Sequence, residues 1–215
     1  MRSDIKVLLL LGGAFYHDQP EHREILSNLL SSKFDLSISG YPNVLKPKYL
    51  AAFNVIVDYT SWWEPTEEQC YALLEVVANG KGFVCLHPAT ASFMNSPGYH
   101  DMVGATFVYH DPFKRFRVEL GEKRHFATGE LLIEDHPITE GIMNFEIEDE
   151  LFVVQGDMTK WHVLARAENH PVLWTKKYGK GRVFSIVLGH DKRALNNPSL
   201  QTLIIRGIEW VAGLR

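Results

Sequence analysis

Cysteine is nearly absent. Cys70 and Cys85 are the only two in 215 residues. Each falls inside a predicted element, where it reads more simply as a small buried apolar residue than as half of a disulfide. That usage is consistent with a reducing compartment. Long apolar runs are missing too: the first substantial one, Val7 to Leu11, stops at Gly12-Gly13 and has neither the length of a membrane span nor the cleavage site of a secretory signal. A cytoplasmic protein is expected. Charge of one sign is also lacking. The net charge is −4, with acidic and basic residues interspersed, so there is no basic footprint for nucleic acid or an anionic membrane. Gly12-Gly13 lacks both the Gly-x-Gly-x-x-Gly spacing of a dinucleotide fingerprint and the Lys-Ser/Thr ending of a triphosphate loop.

What is present is apolar material in globular proportion, 46% hydrophobic against 22% charged. Residues 1–215 read as a single domain with no linker or repeat. Ile5 to Leu11 is continuously apolar, as a parallel strand covered on both faces must be. Asp18 and Glu21 suggest a capping box for a helix carrying Ile25, Leu26, Leu29 and Leu30, with Pro20 in its first turn. Phe34, Leu36 and Ile38 alternate as in an edge strand, and Phe53 to Tyr59 is another buried strand. Pro65 is expected to open a helix that faces inward with Cys70, Leu73, Leu74 and Val77 and ends at Asn79-Gly80. Gly82 to Leu86 is the next strand.

This order describes right-handed crossovers and a doubly wound, flavodoxin-like α/β sandwich with a mainly parallel sheet. Between Thr106 and Val154 short alternating segments, Phe116 to Leu120 and Leu131 to Ile133 among them, predict a β-rich insertion. Strands return at Val172 to Thr175 and Arg182 to Leu188, before a last helix from Pro198.

Ligands of open α/β sheets bind at the carboxyl ends of the strands. Three histidines fall at such ends from distant parts of the chain: His17, His87 and His190, the last followed by Asp191. His87 stands directly after its strand and before Pro88-Ala89-Thr90, as on a sharp strand-to-helix turn, and its ring is expected to face a cleft. It reads as an acid/base, a metal ligand or a plain helix cap. His190-Asp191 reads as a second, oriented acid/base. Gly13, Tyr59, Trp62 and Thr90 flank the same edge and are the candidate substrate contacts, Trp62 or Trp63 as an aromatic platform for a sugar ring. His100 beside Asp101 could approach this pocket, whereas His22, His125 and His162 read as surface or core-edge residues.

Gly80 to Thr90, His136 to Gly141, Asp149 to Phe152 and Pro171 to Asp191 together resemble, in order and over nearly the whole chain, the motifs of the ThuA-like (trehalose-utilisation) family. The resemblance implies the class I glutamine amidotransferase-like fold and a place in sugar catabolism, including 3-keto-disaccharide metabolism. It also places His110 and Glu150 at recurring family positions. With His87 they would bind Zn²⁺ or a similar divalent ion, or else form a hydrogen-bonded polar cluster. True glutamine amidotransferases carry a nucleophilic cysteine where this chain has His87, and Cys85 lies within the strand, so glutaminase chemistry is not expected.

Two functions follow. One is an enzyme acting on a sugar or 3-keto-glycoside by histidine or metal-assisted chemistry, of isomerase, lyase or hydrolase type. The other is a non-catalytic carbohydrate-binding or regulatory domain that keeps the pocket. In both, the partner is a small-molecule carbohydrate, with no nucleic acid or membrane, on a monomer or a homo-oligomer.

Overall fold

A computed structural model gives the fold of residues 3–121 and 135–215. The expected strand at Leu131 to Ile133 and His125 lie outside these described residues. The first strand, β1 (Lys6–Gly13), sends Val7, Leu9 and Leu11 to one face and Leu8 and Leu10 to the other, all fully buried. Each such side chain contributes about 1.5–3 kcal/mol on burial. Helix α1 (Pro20–Ser31) follows, with Pro20 in its first turn. The expected capping box is not formed: Gln19 holds the N-cap position without a side-chain cap bond, and Asp18 pairs with the Arg23 guanidinium at 2.7 Å instead. Next come β2 (Asp35–Ser39), the short α2 (Pro47–Leu50), β3 (Val55–Ser61) and α3 (Glu67–Ala78).

Helix α3 begins two residues after Pro65, not at it. Thr66 is the cap: its hydroxyl accepts the Gln69 N–H while the Gln69 side chain accepts the Thr66 N–H. Strand β4 (Gly82–Leu86) runs into a 3₁₀ turn at His87–Ala91, followed by α4 (Pro97–Val103), β5 (Thr106–His110), β6 (Lys114–Leu120), β7 (Phe145–Asp149) and β8 (Phe152–Gln155). Strands β9 (His162–Ala167), β10 (His170–Tyr178) and β11 (Gly181–Ile186) precede α5 (Lys192–Leu195) and α6 (Pro198–Val211).

The sheet order is β2-β1-β3-β4-β11-β10-β9-β6-β7. Its first five strands are mutually parallel, in the flavodoxin-like order. Strands β10 and β9 continue the sheet in antiparallel fashion, the insertion adds β6 and β7 at that edge, and its β5 and β8 pair as a separate two-stranded ribbon. Helices α1 and α6 cover one face, with Leu26, Leu30, Leu203 and Ile208 packed on Val57, Val84 and Phe184. Leu50 of α2, Leu73 and Val77 of α3, and Tyr99 and Met102 of α4 cover the other, against Ile56, Phe83 and Cys85. The three expected layers are therefore present. Helix α6 lies so close to β11 that a Cβ on Gly207 would come 2.2 Å from the Phe184 ring. Among the described residues no helix is long and apolar enough to cross a membrane.

Candidate metal centre at the carboxyl edge of the sheet

Parallel strands that end side by side deliver their following residues to one place. Strand β1 delivers Tyr16 and His17, β3 delivers Trp62, β4 delivers His87, and β11 delivers His190. The turn between β7 and β8 adds Glu150, and the ribbon adds Phe107, His110 and Phe152. Together they surround a cavity of about 300 Å³, lined by Tyr16, His17, Trp62, Phe107, His110, Glu150, Phe152 and His190.

At the base of the cavity four ligand atoms from His17, His87, Glu150 and His190 lie within 4.8 Å of one another. His190 Nδ1 is 3.1 Å from His17 Nε2, 3.3 Å from His87 Nε2 and 3.0 Å from Glu150 Oε2. A ring nitrogen carries either one proton or one lone pair, in one direction, so Nδ1 of His190 cannot satisfy three hydrogen bonds. Around a cation the same crowding is what is needed: ligands about 2.0–2.2 Å from a common ion lie roughly 2.8–3.6 Å from each other, the shorter values in octahedral and the longer in tetrahedral geometry. The donor set fits a divalent ion that takes imidazole and carboxylate together.

The environment keeps the ligands ready. Burial, aided by the neighbouring His190 and His22, pushes His17 down to about 3. Burial, with His17 and His190 beside it, holds His87 well below the ordinary histidine value. Both rings are therefore neutral at physiological pH, as ligands must be. His87 Nδ1 donates to the Val187 carbonyl at 3.2 Å, which leaves the lone pair on Nε2, aimed at the cluster.

His87 corrects one expectation. Its ring is fully buried beneath the cavity rather than exposed to it, packed against Phe152 at 4.2 Å between centroids. The sharp turn is real, with φ at +41°, a left-handed backbone that is uncommon for a non-glycine residue. The cluster that could hold a metal also differs from the expected trio. His110 stays outside the cluster, its Nδ1 at 3.7 Å from Glu150 Oε1 and bonded to the Asp111 carbonyl, because β5 ends on the cavity wall. His17 and His190 take its place.

Asp191 does not orient His190. It caps α5 by accepting the Arg193 N–H and pairs with the Arg193 guanidinium at 2.6 Å. Glu150 is the carboxylate on His190, and Asp149, which the sequence marked only as the first residue of the Asp149 to Phe152 motif, fixes the loop beneath. Asp149 accepts the N–H groups of Gly189 at 2.7 Å and His190 at 3.1 Å. Burial raises its carboxyl to about 7.

Of the expected substrate contacts, only Trp62 reaches the cavity. Tyr59 is fully buried and donates its hydroxyl to the Gly189 and His190 carbonyls, so it holds the late loop. Thr90 is fully buried and donates to the His87 carbonyl. Gly13 permits a close backbone approach: with φ at +108°, a Cβ there would lie 1.8 Å from the Ser61 carbonyl oxygen. Trp63 packs in the core beside Leu45 and Phe93, and His100 lines a different cleft with Lys160 and Trp161. His22 is buried rather than peripheral, its Nδ1 donating to the His17 carbonyl. Among all these, Asp149 left one signal in the sequence, its place directly before Glu150.

The family profile described as ThuA, trehalose utilisation, matches residues 6–211. Among solved structures, a ThuA-like protein of Parabacteroides merdae is similar with a TM-score of 0.83 at 21% identity, over 99% of this chain and 91% of that one. A cytoplasmic protein of Salmonella typhimurium LT2 gives 0.72 at 12% identity, over 96% and 99% of the two chains. A GMP synthase component of Thermoplasma acidophilum gives 0.63 at 12%, over 100% and 98%. At these identities the likeness establishes the fold. No curated protein matches the sequence.

Proposed function

The chain belongs to the ThuA family, with its glutamine amidotransferase-like α/β fold, and on that premise we propose that it serves carbohydrate utilisation through a divalent-metal centre held by His17, His87, Glu150 and His190. The convergence of those four side chains carries the reading. When bound, the ion supplies Lewis-acid stabilisation to negative charge developing on a sugar oxygen.

The chain's own residues do the rest. The neutral imidazoles of His17 and His87 bind without losing a proton, and Glu150 offsets part of the ionic charge. Phe107, Phe152 and Trp62 give the cavity apolar walls that limit water around the reacting centre. His110 donates Nδ1–H to the Asp111 carbonyl, so its Nε2 has the free lone pair that can take a proton from a carbon next to a sugar carbonyl. Isomerisation or cleavage of a 3-keto-glycoside is chemistry of this kind. The elbow residue is His87 and Cys85 is fully buried in β4, which supports the exclusion of thiol-based glutamine hydrolysis. A cytoplasmic site of action belongs to the same reading, as the name of the Salmonella neighbour states for that protein.

Elemental analysis and turnover of a 3-keto-glycoside test the proposal together. The expected result is one divalent ion per chain, lost in His190→Ala, and turnover abolished by chelation and restored by re-addition of the ion. A protein that binds no divalent ion, and whose turnover ignores chelators, refutes it.

A further inference from the structure

The cleft that holds His100 lies at the other end of the β5/β8 ribbon from the metal cavity: Thr106 and Gln155 pair at the cleft, His110 and Phe152 at the cavity. The end of α4, the ends of both ribbon strands and the turn at Met158–Lys160 enclose about 200 Å³ there. Part of its wall is bare backbone. A Cβ on Gly156 would lie 2.1 Å from the Gly104 carbonyl oxygen, and one on Gly104, where φ is +95°, 2.7 Å from Trp161 Nε1. Trp161, stacked on Trp174 at 4.7 Å between centroids, adds an apolar wall. Four charged side chains also border this space without closing on each other. Lys160 Nζ is 3.5 Å from Asp101 Oδ1 and 3.7 Å from Asp157 Oδ2, and Lys176 Nζ is 4.0 Å from Asp101 Oδ1. A charge-assisted N–H···O bond is shorter, about 2.7–2.9 Å, and Lys114 makes two such bonds at 2.8 Å with Asp111 and Glu168. The Lys176 side chain is only 6% exposed, burial lowers its amine from the ordinary lysine value, and it donates to the Asp101 backbone carbonyl. His100 donates Nδ1–H to the Ala105 carbonyl at 3.1 Å, so its Nε2 holds a lone pair; that buried nitrogen has no hydrogen-bond partner among the described residues. A buried acceptor without a donor is costly.

From this arrangement we propose that the cleft is a second ligand site, for a small zwitterionic α-amino acid: the carboxylate between Lys160 and Lys176, the ammonium toward His100 Nε2 and the Asp101 and Asp157 carboxylates, the side chain along Trp161. The inference goes beyond the metal reading and stands without it. Two lysines and two aspartates make the cleft neutral overall, so a simple anion would meet the aspartates and a simple cation the lysines. A molecule that carries both charges a few bonds apart complements both pairs. Its ammonium, with three N–H groups, supplies the donor that His100 lacks. Its carboxylate gives the buried Lys176 amine the close anionic partner that Asp101, at 4.0 Å, is not. The volume lies below the roughly 300–1,000 Å³ of ordinary ligand pockets, which restricts the amino acid to a small side chain.

Calorimetric titration of the full chain with L-alanine, L-serine, propionate and ethylammonium tests the site. The amino acids should bind, and propionate and ethylammonium, each with one of the two charges, should bind about tenfold or more weakly. Lys176→Met should weaken the amino acids by a similar factor, and so should Lys160→Gln, whose side chain is 57% exposed and whose loss leaves the fold intact. Titration in chelator should give the same affinity as titration without it. No binding of either amino acid, equally tight binding of propionate or ethylammonium, or wild-type affinity in Lys160→Gln overturns the site. Affinity lost in chelator would place the amino acid on a bound metal and overturn it as well. A protein that holds no divalent ion in the elemental analysis yet binds alanine through Lys160 would instead overturn the metal reading and leave this site standing.

Discussion

Asp149 and His190 are joined through the backbone: one buried carboxylate oxygen accepts the His190 N–H at 3.1 Å, while its partner oxygen accepts the Gly189 N–H at 2.7 Å. Tyr59 holds the carbonyls of the same two residues from the other side. The loop is therefore clamped at every polar backbone atom of Gly189 and His190. Asp149→Asn retains one acceptor and turns an amide N–H toward a backbone N–H. We expect a loss of about 1.5–3 kcal/mol in denaturant unfolding and a 10–100-fold weaker metal affinity by competition titration. Unchanged metal affinity would show that the clamp does not position His190.

His87 combines a buried ring with a left-handed backbone. His87→Ala removes the donor to the Val187 carbonyl and the contact with Phe152, so unfolding should show a loss of about 1–3 kcal/mol. His87→Gly lacks the same ring but adopts positive φ without penalty, and should be more stable than the alanine variant by roughly 1 kcal/mol. Equal stabilities would mean that the turn relaxes when the ring is gone.

His110 stands on the cavity wall but outside the ligand cluster. His110→Ala should retain the wild-type metal content while His17→Ala and His190→Ala lose it, and turnover should fall in all three. Elemental analysis of the purified variants decides this. Metal loss in His110→Ala at wild-type stability would return His110 to the ligand set.

Acid sensitivity follows from groups with opposite signs. His17, held down to about 3, His136, down to about 4, and His87, lower than usual, stay neutral in the fold while the unfolded chain protonates its histidines below about 6.5. They cost stability as the pH falls through that window. Asp58, raised by burial to about 6, and Asp149, raised to about 7, hold protons that the unfolded chain gives up above about 4, so their contribution is lost as the pH rises. Three groups oppose two, and the metal-free protein should lose stability from pH 6 down to pH 4. Asp58→Asn removes one opposing group and should steepen that slope by about 1.4 kcal/mol per pH unit. Denaturant unfolding at several pH values in chelator measures both slopes, and a shallower slope in the variant would contradict the assignment.

Local patterning made the layers legible. The continuous apolar run from Val7 to Leu11 can be satisfied only where both faces are covered, and alternation at Phe116, Val118 and Leu120 marks a strand with one face inward. Helix starts were less legible because two partners compete for one group. Asp18 could cap or pair with Arg23, and pairing won; Thr66, not Pro65, holds the start of α3.

The sequence by itself determined the order of the strands and helices as far as β4 apart from the short α2, the last strand and helix, the elbow at His87, and the arrival of His17, His87 and His190 at one sheet edge. Those follow from short-range periodicity and from the rule that parallel strands end together. Which carboxylate meets His190 was a tertiary decision. Asp191 is its chain neighbour, but the start of α5 draws that side chain into a cap and an Arg193 pair. Glu150, forty positions away, is carried in by the turn between β7 and β8. The same holds for burial: a strand-end histidine faces a cleft or lies beneath it according to what packs above, and Phe152 of the ribbon covers His87. Side chains at one edge are set by the local chain, whereas the distances among them depend on long-range packing that no local pattern encodes.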